Sequence, residues 1–201
     1  MTFTFSNRRA NPISNLKAGL YVIEGEGEKL ITDITIPQNI LSISPYAFFK
    51  YKGLKTINLH KDVTTIGAEA FIAAPNLENI DIDSENLSFI EEQGMLMPVT
   101  KDTIYGTDKN YIGEIELPTE LLSVPAYCFY GRTNITKITI PETVTSIGAY
   151  AFYNCSYLTH VNLPENLTTL GDYTFYECTR LEEIQYNCIN LGSMYGKTRC
   201  F

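Results

Sequence analysis

The stretch Ile140-Pro-Glu-Thr-Val-Thr-Ser-Ile-Gly-Ala-Tyr-Ala-Phe-Tyr-Asn-Cys-Ser-Tyr-Leu158 decides the fold, because the chain repeats its pattern. Residues 163–181 carry the same apolar, glycine and cysteine positions 23 residues further on. The phenylalanine of the pattern recurs at that spacing, at Phe48 and Phe71 and again at Phe129, Phe152 and Phe175. Self-similarity at a fixed short period is the signature of a repeat architecture.

The first half of each unit follows the pattern Leu/Ile-x-x-Ile/Val-x-Leu/Ile, which predicts a short β-strand. Seven copies of this half are present, beginning at Ile31, Leu54, Leu77, Ile112, Ile135, Leu158 and Leu181. Because successive side chains of a strand point to opposite faces, we expect the fourth and sixth positions to be buried and the third and fifth to face solvent. A proline at the seventh position, which has no N–H to donate, ends four of these strands.

These units predict a repeat solenoid that is mainly β. A unit of 23 residues is too short to bury its own apolar side, so neighbouring units must stack and align equivalent Leu, Ile and Phe side chains. We expect the seven strands to form one parallel sheet along one face. Gly67, Gly148 and Gly171 mark a second turn, after which the Ala-Phe segment is expected to form one turn of 3₁₀- or α-helix.

One unit is longer than the others. The spacing from Leu77 to Ile112 is 35 residues, so the unit at 77–111 carries an insertion of twelve residues. Two short apolar runs in it, at 94–97 and 103–105, flank a polar turn and predict a β-hairpin. The insertion therefore interrupts the repeat without ending it.

The remaining segments predict the ends of the solenoid. Residues 1–30 precede the first clear unit and are assigned to an N-terminal cap, because an uncapped solenoid end exposes backbone groups and apolar side chains. Residues 31–186 form the solenoid, and residues 187–201 lack the periodicity and are assigned to a C-terminal tail. The first residues do not combine a basic start with an apolar run, so no signal peptide is expected in this chain.

Composition and charge narrow the classes of partner. The 201 residues are 44% hydrophobic and 19% charged, which is the balance of a globular protein rather than a disordered chain. Twenty-three acidic and fifteen basic side chains give a formal net charge of −8, which disfavours nucleic acid and anionic lipid surfaces as partners. The chain lacks a run of about 18 apolar residues, so no membrane insertion is expected.

The pattern Leu-Pro-x-x-Val-Thr-x-Ile-Gly-x-x-Ala-Phe-x-x-Cys-x-x-Leu, nearly complete at 140–158 and 163–181, resembles the leucine-rich repeat of BspA-like proteins. The resemblance implies a curved solenoid with a parallel sheet on its concave face, as found in surface proteins of host-associated bacteria and some protists. It also implies adhesion or protein binding outside the cell, with a host extracellular-matrix or surface protein as the partner. The chain departs from the pattern at Tyr51, Ala74 and Arg132, which replace the cysteine.

The repeat does not bring together a set of residues suited to catalysis or metal binding. His60 and His160 lie about four units apart and cannot share a site. Cys155 and Cys178 occupy equivalent positions, where we expect buried, stacked thiols; a disulfide between them stays open, since their predicted spacing allows one but their parallel side-chain directions disfavour it. The five cysteines contain no C-x₂₋₄-C pair. We therefore expect a non-enzymatic protein without a cofactor or metal.

The outward positions of the predicted sheet are the first candidate for a binding surface, and we call them the concave face. They are Asp33, Thr35, Thr56, Asn58, Asn79, Asp81, Glu114, Glu116, Lys137, Thr139, His160, Asn162, Glu183 and Gln185. Five of these fourteen side chains are carboxylates and one is a lysine, so a partner should be neutral or basic where it touches them. The alternative is that the face is polar only to remain solvated.

The inserted hairpin is the second candidate, because irregular insertions often carry binding residues. Exposed Met95, Leu96, Met97 and Tyr105 would suit an apolar contact with a partner. The alternative is that they pack on the flank of the solenoid.

Three functions are compatible with these features. The first is a protein-binding module at the cell surface or outside the cell, and the second is a structural spacer that presents another domain. The third is glycan binding, which would require exposed aromatic platforms, and the concave face has none.

Overall fold

The structure is a computed structural model that describes residues 32–186 and, for the backbone alone, two short segments before them. These segments are β1 (Tyr21–Ile23) and β2 (Glu28–Leu30), which pair antiparallel. The other residues of the predicted N-terminal cap and the predicted tail at 187–201, with Cys188 and Cys200, lie outside the described residues.

Seven main strands, one in each unit, confirm the solenoid. They are β3 (Asp33–Thr35), β5 (Thr56–Leu59), β7 (Asn79–Ile82), β11 (Gly113–Glu116), β13 (Ile135–Thr139), β15 (His160–Leu163) and β17 (Glu183–Tyr186). Equivalent residues of neighbouring units pair in parallel register, as Ile34 does with Ile57 and Val161 with Ile184. The spacing of the apolar positions thus fixes both the strands and their register.

A second, shorter strand follows the main strand in five of the units. These are β4 (Ser42–Ile43), β6 (Thr65–Ile66), β12 (Ser123–Val124), β14 (Ser146–Ile147) and β16 (Thr169–Leu170), and they also pair in parallel. The Ala-Phe segments that come next are turns, so the expected turn of 3₁₀- or α-helix is not formed there. Among the described residues, no helix is long and apolar enough to cross a membrane.

The expected single sheet of seven strands is wrong, because the main strands form two sheets. One contains β3, β5 and β7, and the other contains β11, β13, β15 and β17. The insertion separates them with a small antiparallel sheet of its own, made of β8 (Phe89–Glu92), β9 (Met95–Pro98) and β10 (Gly106–Thr107). The twelve added residues therefore take a place in the stack instead of projecting from it.

The central strand of the insertion, β9, is buried on both faces. Met95 and Met97 belong to the apolar core of the C-terminal half, whereas Leu96 between them belongs to the core of the N-terminal half. The expectation that Met95, Leu96 and Met97 are exposed is wrong, since their exposed fractions are 1%, 0% and 0%. Tyr105 is half-buried and packs its ring edge-on to Phe89, with centroids 5.9 Å apart. Burial on both faces leaves Met95 and Met97 no surface to offer to a partner.

The repeated phenylalanines form the expected stack, but with one gap. Phe129, Phe152 and Phe175 stack with centroids 5.2 and 5.3 Å apart, and Phe48 stacks on Phe71 at 5.1 Å. Between these groups the equivalent position is Gly106, where a Cβ atom would lie 2.6 Å from the Cβ of Phe71. The backbone of β10 approaches Phe71 so closely that only glycine fits there.

Candidate binding surfaces

The concave face has the alternation that the sequence predicts. In β3, β7, β11 and β15, exposed residues alternate with buried ones, and the outward residues of β5 and β13 are half-buried. Parallel register aligns the outward residues in two rows across each sheet. The three-stranded sheet carries Asp33, Asn58, Asn79 and Asp81, and the four-stranded sheet carries Glu114, Glu116, Lys137, His160, Asn162 and Glu183.

A lysine–carboxylate salt bridge and a histidine–carboxylate contact link neighbouring strands within one row of the four-stranded sheet. Lys137 Nζ lies 3.1 Å from Glu114 Oε2, and His160 Nε2 lies 3.7 Å from Glu183 Oε2. In the part of the chain that the structure describes, none of the salt bridges includes Asp81 or Glu116. These two carboxylates are therefore the clearest source of negative charge for a partner.

The carboxylate of Asp33 stands at the other end of the concave face. Thr32 Oγ1 donates a hydrogen bond to Asp33 Oδ2 at 2.7 Å. This bond, followed by one from Thr56 of the next strand, lowers the pKa of Asp33. The ionised form of Asp33 is therefore favoured, and its neighbours in the row, Thr56 and Asn79, are uncharged.

A second surface, which the sequence reasoning missed, consists of aromatic residues in the turns after the second strands. We call it the tyrosine strip, and its members are Tyr46, Phe49, Tyr127, Tyr130, Tyr150, Tyr153, Tyr173 and Tyr176. They precede the stacked phenylalanine by two residues or follow it by one. That recurrence is the signal in the sequence, but strand alternation predicts outward-facing side chains only within strands.

The tyrosine strip is built from two parallel rows. In the first row Tyr150 stacks on Tyr127 and Tyr173, with centroid distances of 4.9 and 5.1 Å. The second row has Tyr153 between Tyr130 and Tyr176, at 4.9 and 5.7 Å. Within each unit the two rows meet, with centroids 5.6 to 5.8 Å apart.

Phe49 extends the strip across the units that lack these tyrosines. Its ring lies 5.7 Å from that of Tyr127, edge to face, and 5.6 Å from that of Tyr46. Lys50 Nζ lies 3.9 Å from the ring centroid of Tyr127 and 5.0 Å from that of Phe49. A cation thus covers the ring face at the N-terminal end of the first row.

The cysteines in the described residues are free, buried thiols. Cys155 Sγ donates to the carbonyl oxygen of Phe129 at 3.2 Å, and Cys178 Sγ donates to that of Phe152 at 3.1 Å. These bonds fill the same role in successive units, which agrees with stacked thiols rather than a disulfide. Cys178 also lines a cavity of about 360 Å³, together with Phe175 and Leu181.

The two histidines have separate roles. His60 is 7% exposed, and its Nε2 lies 3.0 Å from the carbonyl oxygen of Pro37 and 3.1 Å from that of Ile40. His60 therefore satisfies backbone groups where other units have the strand-ending proline, while His160 lies exposed on the concave face. Within the described residues, no group of three or more His, Cys, Asp or Glu side chains could hold a metal ion.

Comparison with known proteins gives both a family and a fold. The model of the BspA type leucine rich repeat region matches residues 26–95 and 105–197, with six copies. No curated protein matches the sequence. A leucine-rich repeat protein from Eubacterium ventriosum is similar at 30% identity and a TM-score of 0.67, over 79% of this chain and 43% of that one.

A second solved structure shares the fold at lower identity. It is a leucine rich cell surface protein from Faecalibacterium prausnitzii, 20% identical, with a TM-score of 0.51 over 88% of this chain and 48% of that one. The chain therefore spans less than half the length of either of these two proteins.

Proposed function

Because the chain belongs to the BspA-type leucine-rich repeat family, we propose that it is a protein-binding module that acts by adhesion at the cell surface or outside the cell. Repeats of this family are typically non-enzymatic and generally serve as protein-interaction modules. The partner proposed here is a host extracellular-matrix or surface protein. The binding site is the concave face.

The observation that carries this proposal is the fixed array of polar side chains on the two parallel sheets. The outward residues alternate with inward ones such as Ile57 and Ile138, both 0% exposed, that hold their strands in place. A rigid array loses little conformational entropy when it binds, so more of the contact energy appears as affinity. Solenoids present such extended surfaces to their partners.

The charge of the concave face indicates which kind of partner surface it would bind. Asp81 and Glu116 face outward without a salt bridge among the described residues, and Glu114 is only partly neutralised by Lys137. Carboxylates at this density attract a basic patch and accelerate its association at low ionic strength. We therefore expect association to slow as salt is added, since exposed charges are screened over about 10 Å at 0.1 M.

Capture of extracellular-matrix proteins by the immobilised chain tests the proposal. The variant changes Asp81, Glu114 and Glu116 to Lys, and the control changes Asp62, Glu120 and Glu165 to Lys. All six carboxylates are exposed, and each triple change takes the net charge from −8 to −2. Capture lost only in the first variant is the expected result, because only that variant alters the concave face.

Two results would contradict the proposal. Equal loss of capture in both variants would show an effect of net charge rather than of the concave face. Absence of saturable capture by the unaltered chain would favour a spacer that projects other domains.

A further inference from the structure

The tyrosine strip is separate from the concave face. Its backbone conformation does not favour tyrosine, which indicates that the side chain is the reason for this residue. The backbone angle φ lies between 57° and 59° at Tyr46, Tyr127, Tyr150 and Tyr173. This left-handed conformation costs a residue with a Cβ roughly 1 kcal/mol or more and favours Gly or Asn. Four of the five positive-φ residues at this position are nevertheless tyrosines, with Glu69 as the fifth.

The other left-handed position of the same turn provides the contrast. It lies two residues after the stacked phenylalanine and holds Lys50, Ala73, Gly131, Asn154 and Glu177. No single residue type dominates there, and glycine and asparagine are both used. The same backbone requirement therefore admits varied residues at one position and mostly tyrosine at the other.

Stacking makes the tyrosine strip a rigid surface that is ready for contact. Each ring in the middle of a row lies between two others, so its rotation is already restricted. The strip nevertheless reaches solvent, with Tyr46 51% and Tyr176 37% exposed. Tyrosine is enriched at protein interfaces because it offers a large amphipathic contact at low entropic cost.

The stacked geometry restricts what can bind. The rings of Tyr127 and Tyr150 are nearly parallel and face each other, with an interplanar angle of 2°. The rings of Tyr130 and Tyr153 do the same at 4°. A sugar ring packs on an aromatic face, and these faces are already occupied. The rows therefore present ring edges and phenol oxygens, which suit hydrogen-bond donors that have an apolar stem.

The charged residues beside the strip determine whether neutral or positively charged donors are favoured. Asp172 immediately precedes Tyr173 and Glu177 immediately follows Tyr176, and both carboxylates are exposed. Burial and then the charges around it, including that of Asp172, raise the pKa of Tyr150. Burial, followed by the charge of Glu177, raises the pKa of Tyr153. This end of the strip is therefore negative, whereas Lys50 supplies a cation at the other end.

We propose that the tyrosine strip is a second docking surface that takes an extended, Arg- or Lys-bearing peptide segment of a partner protein. The basic side chains lie at the end that carries Asp172 and Glu177, with their stems on the ring edges and their N–H groups donating to phenol and carboxylate oxygens. Lys50 shows within the molecule that a basic side chain packs on the strip, although its ammonium group lies over the faces of Phe49 and Tyr127 rather than at their edges. The segment approaches over the turns, so it does not compete with a partner on the concave face.

Fluorescence anisotropy of a labelled alternating Gly-Arg peptide, titrated with the full chain, tests this proposal. A peptide in which citrulline replaces arginine has the same shape without the charge. The first variant combines Asp172→Asn with Glu177→Gln, and its control combines Asp62→Asn with Glu165→Gln, which removes the same charge at exposed positions outside the strip and the concave face. A third variant combines Tyr150→Phe with Tyr153→Phe, which keeps the stacking and removes two hydroxyls.

Saturable binding of the Gly-Arg peptide is the expected result, with affinity reduced about tenfold by the Asp172 and Glu177 changes, which corresponds to about 1.4 kcal/mol. The double phenylalanine variant should bind several-fold more weakly and melt at the same temperature as the unaltered chain. Binding that survives the Asp172 and Glu177 changes, or falls equally in the control, would overturn the proposal. So would equal binding of the citrulline peptide, or saturable binding of only a neutral proline-rich peptide or a glucan.

Discussion

The guanidinium group of Arg132 donates a hydrogen bond to the carbonyl oxygen of Ala74 at 3.2 Å, although the two residues lie 58 positions apart in the chain. The same group donates to the backbone oxygen of Thr107, and Nε donates to the hydroxyl of Thr107 at 3.1 Å. Arg132 occupies the position that cysteine has in the following units. Its longer side chain reaches across the interrupted unit and joins the two halves of the solenoid.

Arg132→Ala should destabilise the fold by about 2 kcal/mol, because it removes the buried hydrogen bonds that the guanidinium donates to Ala74 and Thr107. The loss is moderated because burial, which lowers the pKa of Arg132 to about 10, already makes this cation costly to enclose. Urea denaturation measures the change. Arg180→Ala, which removes a guanidinium lying over Tyr157, is the control and should cost less than about 1 kcal/mol.

Equal stability of the Arg132→Ala variant and the unaltered chain would show that the halves are held by apolar packing alone. A change in the urea dependence of the unfolding free energy would show instead that the halves now unfold separately.

The regular units could be predicted from the sequence because every apolar position has an equivalent 23 residues away. Ile34, Ile57 and Ile80 pair side by side in the sheet, as their spacing requires. The inserted strand could not be predicted in the same way. Met95, Leu96 and Met97 are all apolar, so they lack the alternation that tells one face from the other. Only the presence of a core on each side explains why all three are buried.

The concave face could likewise be read from strand alternation, whereas the tyrosine strip could not. Tyr127, Tyr150 and Tyr173 lie in turns, where the direction of a side chain depends on the backbone conformation rather than on a period of two. A positive φ directs these residues into one row. Their recurrence in the sequence was visible, but their common direction required the structure.

Phe152→Ala should destabilise the fold by about 3 to 5 kcal/mol, because the ring is fully buried between two others. The loss has two parts, namely the apolar surface that is no longer buried and the cavity that remains between Phe129 and Phe175. Chemical denaturation followed by circular dichroism measures the change. Tyr157→Ala removes an exposed ring, so a comparable loss in that variant would contradict the assignment of the stack as the core.

Gly148→Ala should destabilise the fold by about 3 kcal/mol, because the units approach each other too closely for a side chain there. A Cβ atom on Gly148 would lie 2.3 Å from the backbone nitrogen of Ala126 in the preceding unit. Gly131→Asn is the control, since a Cβ atom on Gly131 meets nothing within 4 Å and Asn154 already adopts a positive φ at the equivalent position. Thermal melting of both variants tests the difference, and equal melting temperatures would refute close packing as the reason for glycine.

Cys178 should be alkylated by iodoacetamide faster than Cys128 and Cys155, because the thiolate is the reacting species. Burial raises the pKa of Cys128 and that of Cys155, which keeps both protonated at neutral pH. The neighbouring thiol of Cys155 lowers the pKa of Cys178, which also lines the cavity of about 360 Å³ and can be reached there. Peptide mapping by mass spectrometry after timed alkylation separates the five cysteines of the chain.

Cys155→Ala provides the sharper test of this order, since it removes the neighbouring thiol and leaves Cys178 itself unchanged. Alkylation of Cys178 should slow in the variant at neutral pH and recover as the pH rises, because the thiol then needs a more alkaline solution to ionise. An unchanged rate would mean that access through the cavity controls the reaction and that the Cys155 thiol does not. Alkylation of Cys128 at the rate of Cys178 would mean that the units open locally on the timescale of the experiment, so that stacking does not protect the core.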